Sequence, residues 1–306
     1  MKKNSFLAGA AISTLGIVIT KFIGLVYVIP FYAIIGIQGG ALYSYAYSIY
    51  NMFLNLATSG IPVAMSKVVS EYNAKNYKYT KEQTFKTGLK IIAILCVTVF
   101  LCLFIFAPQI AYFIIGDVKG GNTLEDVTFV IRVISTALLI VPFLSVSKGY
   151  LQGHKIMQVS SVANILEQIV RVIVILAGSY LALKVFHAKV TTAVGISVFA
   201  ATVGAIAAYF YVFMRIKKNR DALERDIPIT ESEKKITTKD VEEFAYNITA
   251  DLINKYVVFV GIAVTSIDCK TFSISETIIS NVAVFPPYEI VTCVWFAFKL
   301  YPSVIS

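Results

Sequence analysis

Six long apolar stretches constrain this chain more than any other feature of its sequence. They cover residues 5–29, 41–65, 89–115, 128–147, 160–183 and 190–214. Each stretch is long enough to cross the roughly 30 Å hydrocarbon core of a bilayer as a helix. The composition agrees, because 57% of the residues are hydrophobic and only 15% are charged, well below the share in soluble domains. The sequence therefore predicts an all-α polytopic membrane protein.

The basic residues between these spans predict the direction in which each span crosses. One side holds Lys2 and Lys3, the lysine-rich segment 67–90, Lys148 and Lys155, and the segment 215–239. The loops on the other side hold Lys119, Lys184 and Lys189. Because basic loops stay inside, we expect a multi-pass protein of the cytoplasmic membrane with its N-terminus in the cytoplasm. The net charge of +9 is then a topology signal, and no nucleic-acid partner is predicted.

Residues 1–216 are thus predicted to form one six-helix transmembrane unit. Residues 66–86 are charged and tyrosine-rich, which is typical of an interfacial helix on the cytoplasmic side. Residues 217–245 read as a charged cytoplasmic linker, and in residues 246–306 the pattern weakens. There the longest apolar run is interrupted by Pro286, Pro287 and Glu289. We expect one marginal or re-entrant helix at most in that tail.

The fifth span carries a polar stripe at helical spacing. Its members are Ser160, Ser161, Asn164, Glu167, Gln168 and Arg171. Since ionised groups at this depth are costly against lipid, the stripe is expected to face protein or a water-filled cavity. Glu167 and Arg171 stand at the i, i+4 spacing at which such side chains pair. Two interpretations stay open: a structural ion pair that neutralises itself, or a cavity cation at Arg171 whose charge Glu167 modulates.

The first two spans add further polar groups. The second carries Ser44, Tyr47, Ser48, Asn51, Asn55, Thr58 and Ser59 at helical spacing, as expected of a helix that lines an aqueous path. Its tyrosines, at positions 43, 45, 47 and 50, are typical of an outer aromatic belt. In the first span, Lys21 either snorkels to the outer interface or faces the cavity as a cation.

These groups together favour an anionic ligand such as a phosphate or diphosphate. The predicted substrate-binding residues are Lys21, Asn51, Asn55, Asn164, Glu167, Gln168 and Arg171. The sequence has no phosphate-binding glycine loop with lysine, no metal-ligand spacing and no nucleophile motif, and turn chemistry explains His154. We therefore predict no enzyme, no metal and no cofactor. Transport is the class of function that needs polar residues deep in the membrane and enclosed by surrounding helices.

Several motifs resemble the first half of MurJ-like and SpoVB-like flippases. They are TKFIGLVYVIP at 20–30, GGALY at 39–43, GIPVAMSK at 60–67, YLQGHK at 150–155 and NILEQIVRV at 164–172. The resemblance covers roughly residues 1–240. It implies one six-helix lobe of a two-lobed, alternating-access transporter in the multidrug/oligosaccharidyl-lipid/polysaccharide exporter superfamily. It also implies a lipid-linked diphosphate glycan precursor such as lipid II as substrate, and a ligand-binding role for Lys21.

The chain departs from the pattern of that family in three places. Val28 stands where many relatives carry arginine, and Asn51 and Asn55 stand where some do, so the cavity is less cationic and related lipid-linked glycans stay open as substrates. The tail does not resemble a seventh and eighth helix, so we expect a truncated or frameshifted product. The alternatives are a drug/cation antiporter, disfavoured because the first span has no acidic residue, and a non-transporting partner of other cell-envelope or spore assembly proteins.

Overall fold

The computed structural model describes residues 3–58, 60–75, 77–115 and 121–218. All of them belong to Met1–Thr249, the first of two units into which the chain divides. The predicted tail 246–306, and the predicted linker beyond Lys218, lie outside the described residues.

Nine α-helices account for most of the described residues. They are α1 Lys3–Val26, α2 Val28–Thr58, α3 Ile61–Ala74, α4 Lys78–Ile105, α5 Ala107–Ile115, α6 Leu124–Ser135, α7 Val141–Gly153, α8 Met157–Tyr180 and α9 Val190–Lys218. A 3₁₀ turn, Thr136–Leu139, joins α6 to α7, and a π turn, Leu181–Val185, extends α8. The described part of the chain contains no strand. The predicted all-α class is therefore confirmed.

Four stretches of the described residues are long and apolar enough to cross a membrane. They are Tyr79–Ile105, Leu124–Gly153, Met157–Val185 and Val190–Lys218. Thr14–Val26 and Val28–Asn55, which meet at an angle of 41°, add a fifth if the bent pair counts as one span. The four stretches match the last four predicted spans, and the bent pair corresponds to the first two. The protein is thus a multi-pass membrane protein. The described residues give four candidate spans, or five with the bent pair, where the sequence predicts six, and several boundaries move.

Glycine and proline explain why these boundaries differ from the prediction. The predicted span 41–65 begins and ends earlier, because α2 runs from Val28 to Thr58. Gly60, at a φ of 89°, then precedes a new helix that begins with Ile61 and Pro62. The predicted span 89–115 is broken at Phe106, two residues before Pro108, since proline lacks the N–H that continues a helix. The predicted interfacial helix 66–86 is divided between α3 and α4.

Helices α1 and α9 pack against α8, and small residues let them approach it closely. A Cβ added to Gly16 of α1 would lie 3.0 Å from Cβ of Ser161 on α8. A Cβ added to Gly204 of α9 would lie 2.7 Å from the main-chain oxygen of Glu167. Such close approach is what holds helices together where lipid supplies no hydrophobic driving force. Residues of α7, α8 and α9 also share an apolar core that includes Leu151.

The turn between α7 and α8 brings these two helices back alongside each other. Lys155 adopts a left-handed conformation with a φ of 62°, and its N–H donates to the carbonyl of Gln152. The N–H of Ile156 donates to the carbonyl of Leu151, which closes the end of α7 in the manner of a Schellman motif. Residues equally distant from this turn on the two helices are therefore neighbours.

Candidate functional site

Three charged side chains meet between α7 and α8. Glu167 accepts a hydrogen bond from Arg171 Nη2 at 2.6 Å through Oε1, and its Oε2 lies 3.3 Å from Lys148 Nζ. Lys148 comes from α7, whereas the other two residues stand one turn apart on α8. We call Lys148, Glu167 and Arg171 the charge cluster. Its formal charge is one positive, because a single carboxylate faces two cations.

Two neutral groups complete the surroundings of the charge cluster. Lys148 Nζ donates to Asn164 Oδ1 at 2.6 Å, and Arg171 Nη1 donates to the Tyr47 hydroxyl of α2 at 3.1 Å. The Nε–H of Arg171 is buried and has no hydrogen-bond partner among the described residues. An unpaired buried donor is unusual, and this one belongs to a cation. Arg171 therefore has one donor that no described group accepts.

The charge cluster is shielded from solvent. The side chains of Lys148, Glu167 and Arg171 are only 14%, 16% and 11% exposed. Arg171 lies fourteen residues beyond the start of α8, or about 21 Å of helix rise, which is near the middle of the span. Removing charges from water costs free energy that pairing only partly offsets. A net positive charge at this depth is consequently a strong attractor for an anion.

The other predicted site residues fall into two groups. Gln168 lies on α8 but faces α1, since a Cβ added to Gly24 would be 3.2 Å from its Nε2. Lys21, Asn51 and Asn55 are exposed, and in the described part of the chain nothing joins them to the charge cluster. The structure thus brings together Asn164, Glu167 and Arg171 of the predicted set. The binding roles of all seven residues stay predictions.

Lys148 and Tyr47 belong to the site but are absent from the predicted substrate-binding residues, although Tyr47 is part of the predicted polar stripe of the second span. The sequence predicts a topology signal at Lys148, yet this residue stands five residues inside the end of α7. Because α7 and α8 form a hairpin, a lysine at that distance before the turn falls opposite Asn164, at a similar distance after it. This similar distance from the turn on both helices is the signal in the sequence that could identify Lys148 as a neighbour of Asn164. Nothing local connects Tyr47 to Arg171, 124 positions later.

A second feature adjoins the charge cluster on α2 and on Tyr27, the residue just before it. It is a cavity of about 200 Å³, lined mainly by tyrosines and serines. Its lining includes Tyr27, Tyr32, Tyr43, Ser44, Tyr47 and Ser48. We call it the tyrosine cavity. The prediction of an outer aromatic belt is wrong for positions 43 and 50, because these side chains are only 7% and 2% exposed; Tyr45, on another face, is 39% exposed.

His154, in the turn after α7, has a local structural role. Its Nδ1 lies 2.9 Å from the carbonyl of Tyr150 and its Nε2 lies 3.4 Å from Lys81 Nζ. Burial lowers the pKa of His154, and the charge of Lys81 lowers it further. A neutral ring fits both contacts, donating through Nδ1 and accepting at Nε2. Among the described residues, no group of three or more His, Cys, Asp or Glu could hold a metal ion.

Comparison with known proteins agrees with this architecture. The model of a family described as "Polysaccharide biosynthesis protein" matches residues 6–265. The lipid II flippase MurJ of Bacillus subtilis (strain 168) is 36% identical over 274 residues, which is 88% of this chain and 49% of that protein. Stage V sporulation protein B of the same organism is 27% identical over 218 residues, 71% of this chain and 40% of that protein. The chain spans about half the length of the curated relatives it matches.

Solved structures show the same fold at low identity. A transporter of the MOP superfamily from Pyrococcus furiosus Vc1 (DSM3638), described as having a binding pocket of reverse polarity, has a TM-score of 0.61 and is 14% identical. The match covers 83% of this chain and 54% of that one. A multidrug resistance MATE family transporter in an outward-facing conformation has a TM-score of 0.59 over 83% of this chain and 53% of its own, also at 14% identity. Each match thus covers about half of a larger transporter.

Proposed function

The chain belongs to the polysaccharide biosynthesis protein family, and we propose that it forms one lobe of a flippase for an anionic, lipid-linked glycan precursor. In this proposal the precursor moves across the cytoplasmic membrane by alternating access, and the N-terminus lies in the cytoplasm. Lipid II or a related lipid diphosphate glycan is the substrate. The observation that carries the proposal is the buried charge cluster, with its net positive charge and its unpaired Arg171 donor.

The chemistry of the cluster fits a phosphate better than it fits a neutral or cationic solute. Arg171 offers a planar guanidinium, and Lys148 offers a compact ammonium beside it, the two side chains that most often bind phosphate. Only one carboxylate, that of Glu167, stands between them. A diphosphate carries more negative charge than this carboxylate and would compete for both cations. A drug/cation antiporter is disfavoured for the same reason, because the cluster repels a cationic drug.

Glu167 supplies a way to bind the substrate without trapping it. In the substrate-free lobe its carboxylate occupies both cations, so neither is left bare within the membrane. When a phosphate arrives, the cations exchange one anion for another, and the reverse exchange accompanies release. A transport site needs this balance, since binding that is too strong slows release. With no nucleotide-binding motif in the sequence, the membrane potential or an ion gradient is the proposed energy source.

The test is an accessibility assay in cells that carry substitutions at the native locus. Arg171→Ala and Lys148→Ala are expected to reduce the appearance of the lipid-linked precursor at the outer leaflet by about 10-fold or more, as loss of a charged hydrogen bond of 1.5–3 kcal/mol implies. Lys86→Ala is the matched control, because Lys86 is 55% exposed and pairs with the nearby Glu82. Immunoblotting establishes equal amounts of protein in the membrane.

Two outcomes would contradict the proposal. Undiminished translocation by both Arg171→Ala and Lys148→Ala would remove the cluster from the transport path. Stable co-purification with another envelope protein, combined with no movement of any lipid-linked precursor, would instead favour the assembly-partner alternative.

A further inference from the structure

The tyrosine cavity has a composition that the charge cluster does not explain. Its lining combines four tyrosines and Phe31 with two serines and a single aliphatic residue, Val28. We propose that this cavity binds the sugar ring that is esterified to the diphosphate of the substrate. The inference rests on the proposed function and deepens it, because it assigns the glycan part of the ligand to named residues.

The geometry of the cavity provides both an aromatic surface, in which Tyr32 and Tyr47 are more exposed than Tyr43, and polar edges. The rings of Tyr43 and Tyr47 stack with centroids 5.5 Å apart and planes 15° from parallel. At the rim, the hydroxyls of Tyr27 and Tyr43 are 3.3 Å apart, and the Tyr32 hydroxyl lies 3.3 Å from Oγ of Ser44. Each of these hydroxyls can both donate and accept a hydrogen bond. The cavity therefore offers aromatic rings on which a ligand can pack and hydroxyl groups that can hydrogen-bond to it.

A pyranose ring has surfaces of the same two kinds. Its C–H groups form an apolar face that packs on an aromatic ring, and its hydroxyls form a polar edge. An isoprenoid tail requires aliphatic walls without hydroxyl groups. A phosphate requires cations, and the lining of this cavity contains no cationic side chain. The volume of about 200 Å³ lies below the 300–1,000 Å³ of sites for drug-sized ligands. One sugar ring is the occupant that fits all of these properties.

The position of the cavity relative to Arg171 supports the same occupant. Tyr47 lines the cavity, and its hydroxyl oxygen accepts a hydrogen bond from Arg171 Nη1. The cation and the cavity are therefore separated by one side chain. In a lipid diphosphate sugar, the ring is likewise separated from the nearest phosphate by one ester oxygen. A phosphate bound at Arg171 would place its sugar beside Tyr47, which lines the cavity.

Binding of two synthetic lipids by the purified protein tests this assignment. The probes are geranylgeranyl diphosphate and the same lipid diphosphate carrying one N-acetylglucosamine, titrated in detergent micelles. We measure the ratio of the two Kd values for wild type, Tyr32→Ala and Tyr45→Ala. Tyr32 lines the cavity and Tyr45 does not, yet both are 39% exposed, which makes Tyr45→Ala a matched control.

The wild-type protein and Tyr45→Ala are expected to bind the sugar-bearing lipid more tightly than the sugar-free lipid. In Tyr32→Ala that preference is expected to fall about 5- to 10-fold through loss of aromatic contact, with binding of the sugar-free lipid unchanged. An unchanged preference in Tyr32→Ala overturns the inference. If Tyr32→Ala loses both ligands, Tyr32→Phe and Ser48→Ala decide, since each removes only a hydroxyl: a reduced preference supports the sugar site and an unchanged one overturns it.

Failure of the proposed function gives a different result. If wild type binds neither lipid, or binds both independently of Arg171, the diphosphate site itself is wrong and the sugar site fails with it. If wild type binds both lipids equally through Arg171, the diphosphate site stands and only the sugar site is rejected.

Discussion

Glu167 accepts hydrogen bonds from cations on two different helices. Arg171 reaches it along α8 and Lys148 reaches it from α7, so the carboxylate joins the two helices electrostatically. With two cations for one anion, the pair on α8 does not neutralise itself. This arrangement favours the interpretation of Arg171 as a cavity cation whose charge Glu167 modulates.

Removing the charge of Glu167 is expected to destabilise the protein. Glu167→Gln keeps the shape of the side chain but leaves two buried cations without an anion, which costs about 3 kcal/mol by analogy with other broken buried pairs. The loss is measured as a lower midpoint of thermal unfolding in detergent. Adding Lys148→Met to Glu167→Gln is expected to restore part of the stability, because it removes one of the unpaired cations.

The exposed pair of Glu71 and Lys75 provides the control. These side chains are 52% and 51% exposed and lie 2.7 Å apart with the same i, i+4 spacing. Exposed pairs contribute little, so Glu71→Gln is expected to leave the unfolding midpoint unchanged. Equal shifts of the unfolding midpoint in Glu71→Gln and Glu167→Gln would show that burial does not determine how much the charge cluster contributes to stability.

The sequence alone predicts only the part of the site that lies on one helix. Glu167 and Arg171 stand four positions apart, so helical periodicity is enough to pair them. Lys148 enters through the register of the α7–α8 hairpin, and Tyr47 enters through the packing of α2 on α8. Both depend on contacts between helices, which periodicity does not encode. The lining of the tyrosine cavity lies almost wholly on α2, and the predicted polar stripe of that span already includes Ser44, Tyr47 and Ser48.

At the scale of helices, close contact of α7 with α3 holds the helix that supplies Lys148. A Cβ added to Gly149 would lie 2.6 Å from the main-chain oxygen of Pro62 and 2.9 Å from its Cα. Gly153, one turn later, faces Val69 of α3 at a similarly short distance. These contacts are with main-chain atoms of Pro62 and with the β-branched side chain of Val69, neither of which can rotate out of the way. The position of α7 therefore depends on the absence of side chains at its glycines.

Gly149→Ala is expected to destabilise the protein by about 1–3 kcal/mol, the usual cost of overpacking. Gly24→Ala is the matched control on α1, because its added Cβ would meet only the flexible end of Gln168 at 3.2 Å. Thermal unfolding of the two variants in detergent measures the difference. A shift for Gly24→Ala as large as that for Gly149→Ala would contradict the assignment of α7–α3 as a rigid contact.

Hydropathy predicted where helices lie more reliably than where they end. The spans around α8 and α9 were placed within a few residues, because long apolar runs there end at polar or basic residues. The end of the second span and the break within the third differ from the prediction because apolar residues continue across Gly60 and across Phe106–Pro108. A hydropathy pattern does not register a break in main-chain geometry when both sides of the break are apolar.

At the scale of the whole molecule, the two ends of the helical unit differ in charge. The end that contains the α7–α8 turn and the end of α9 carries Lys155, Arg215, Lys217 and Lys218. At the opposite end, α6 begins with Glu125 and Asp126, and Asp126 accepts a hydrogen bond from Thr191 of α9 at 2.6 Å. Since basic ends stay in the cytoplasm, this asymmetry is the physical basis of the proposed orientation.

Cysteine labelling in intact cells tests that orientation. Glu125 and Lys155 are both exposed and lie at opposite ends of the span Leu124–Gly153 or just beyond it. In a background with the four native cysteines replaced, a membrane-impermeant maleimide is expected to label Glu125→Cys in intact cells, and Lys155→Cys only after permeabilisation. Lys218→Cys, at the end of α9, should behave like Lys155→Cys. The reverse pattern would invert the topology, and the charge cluster would then be approached from the outer side.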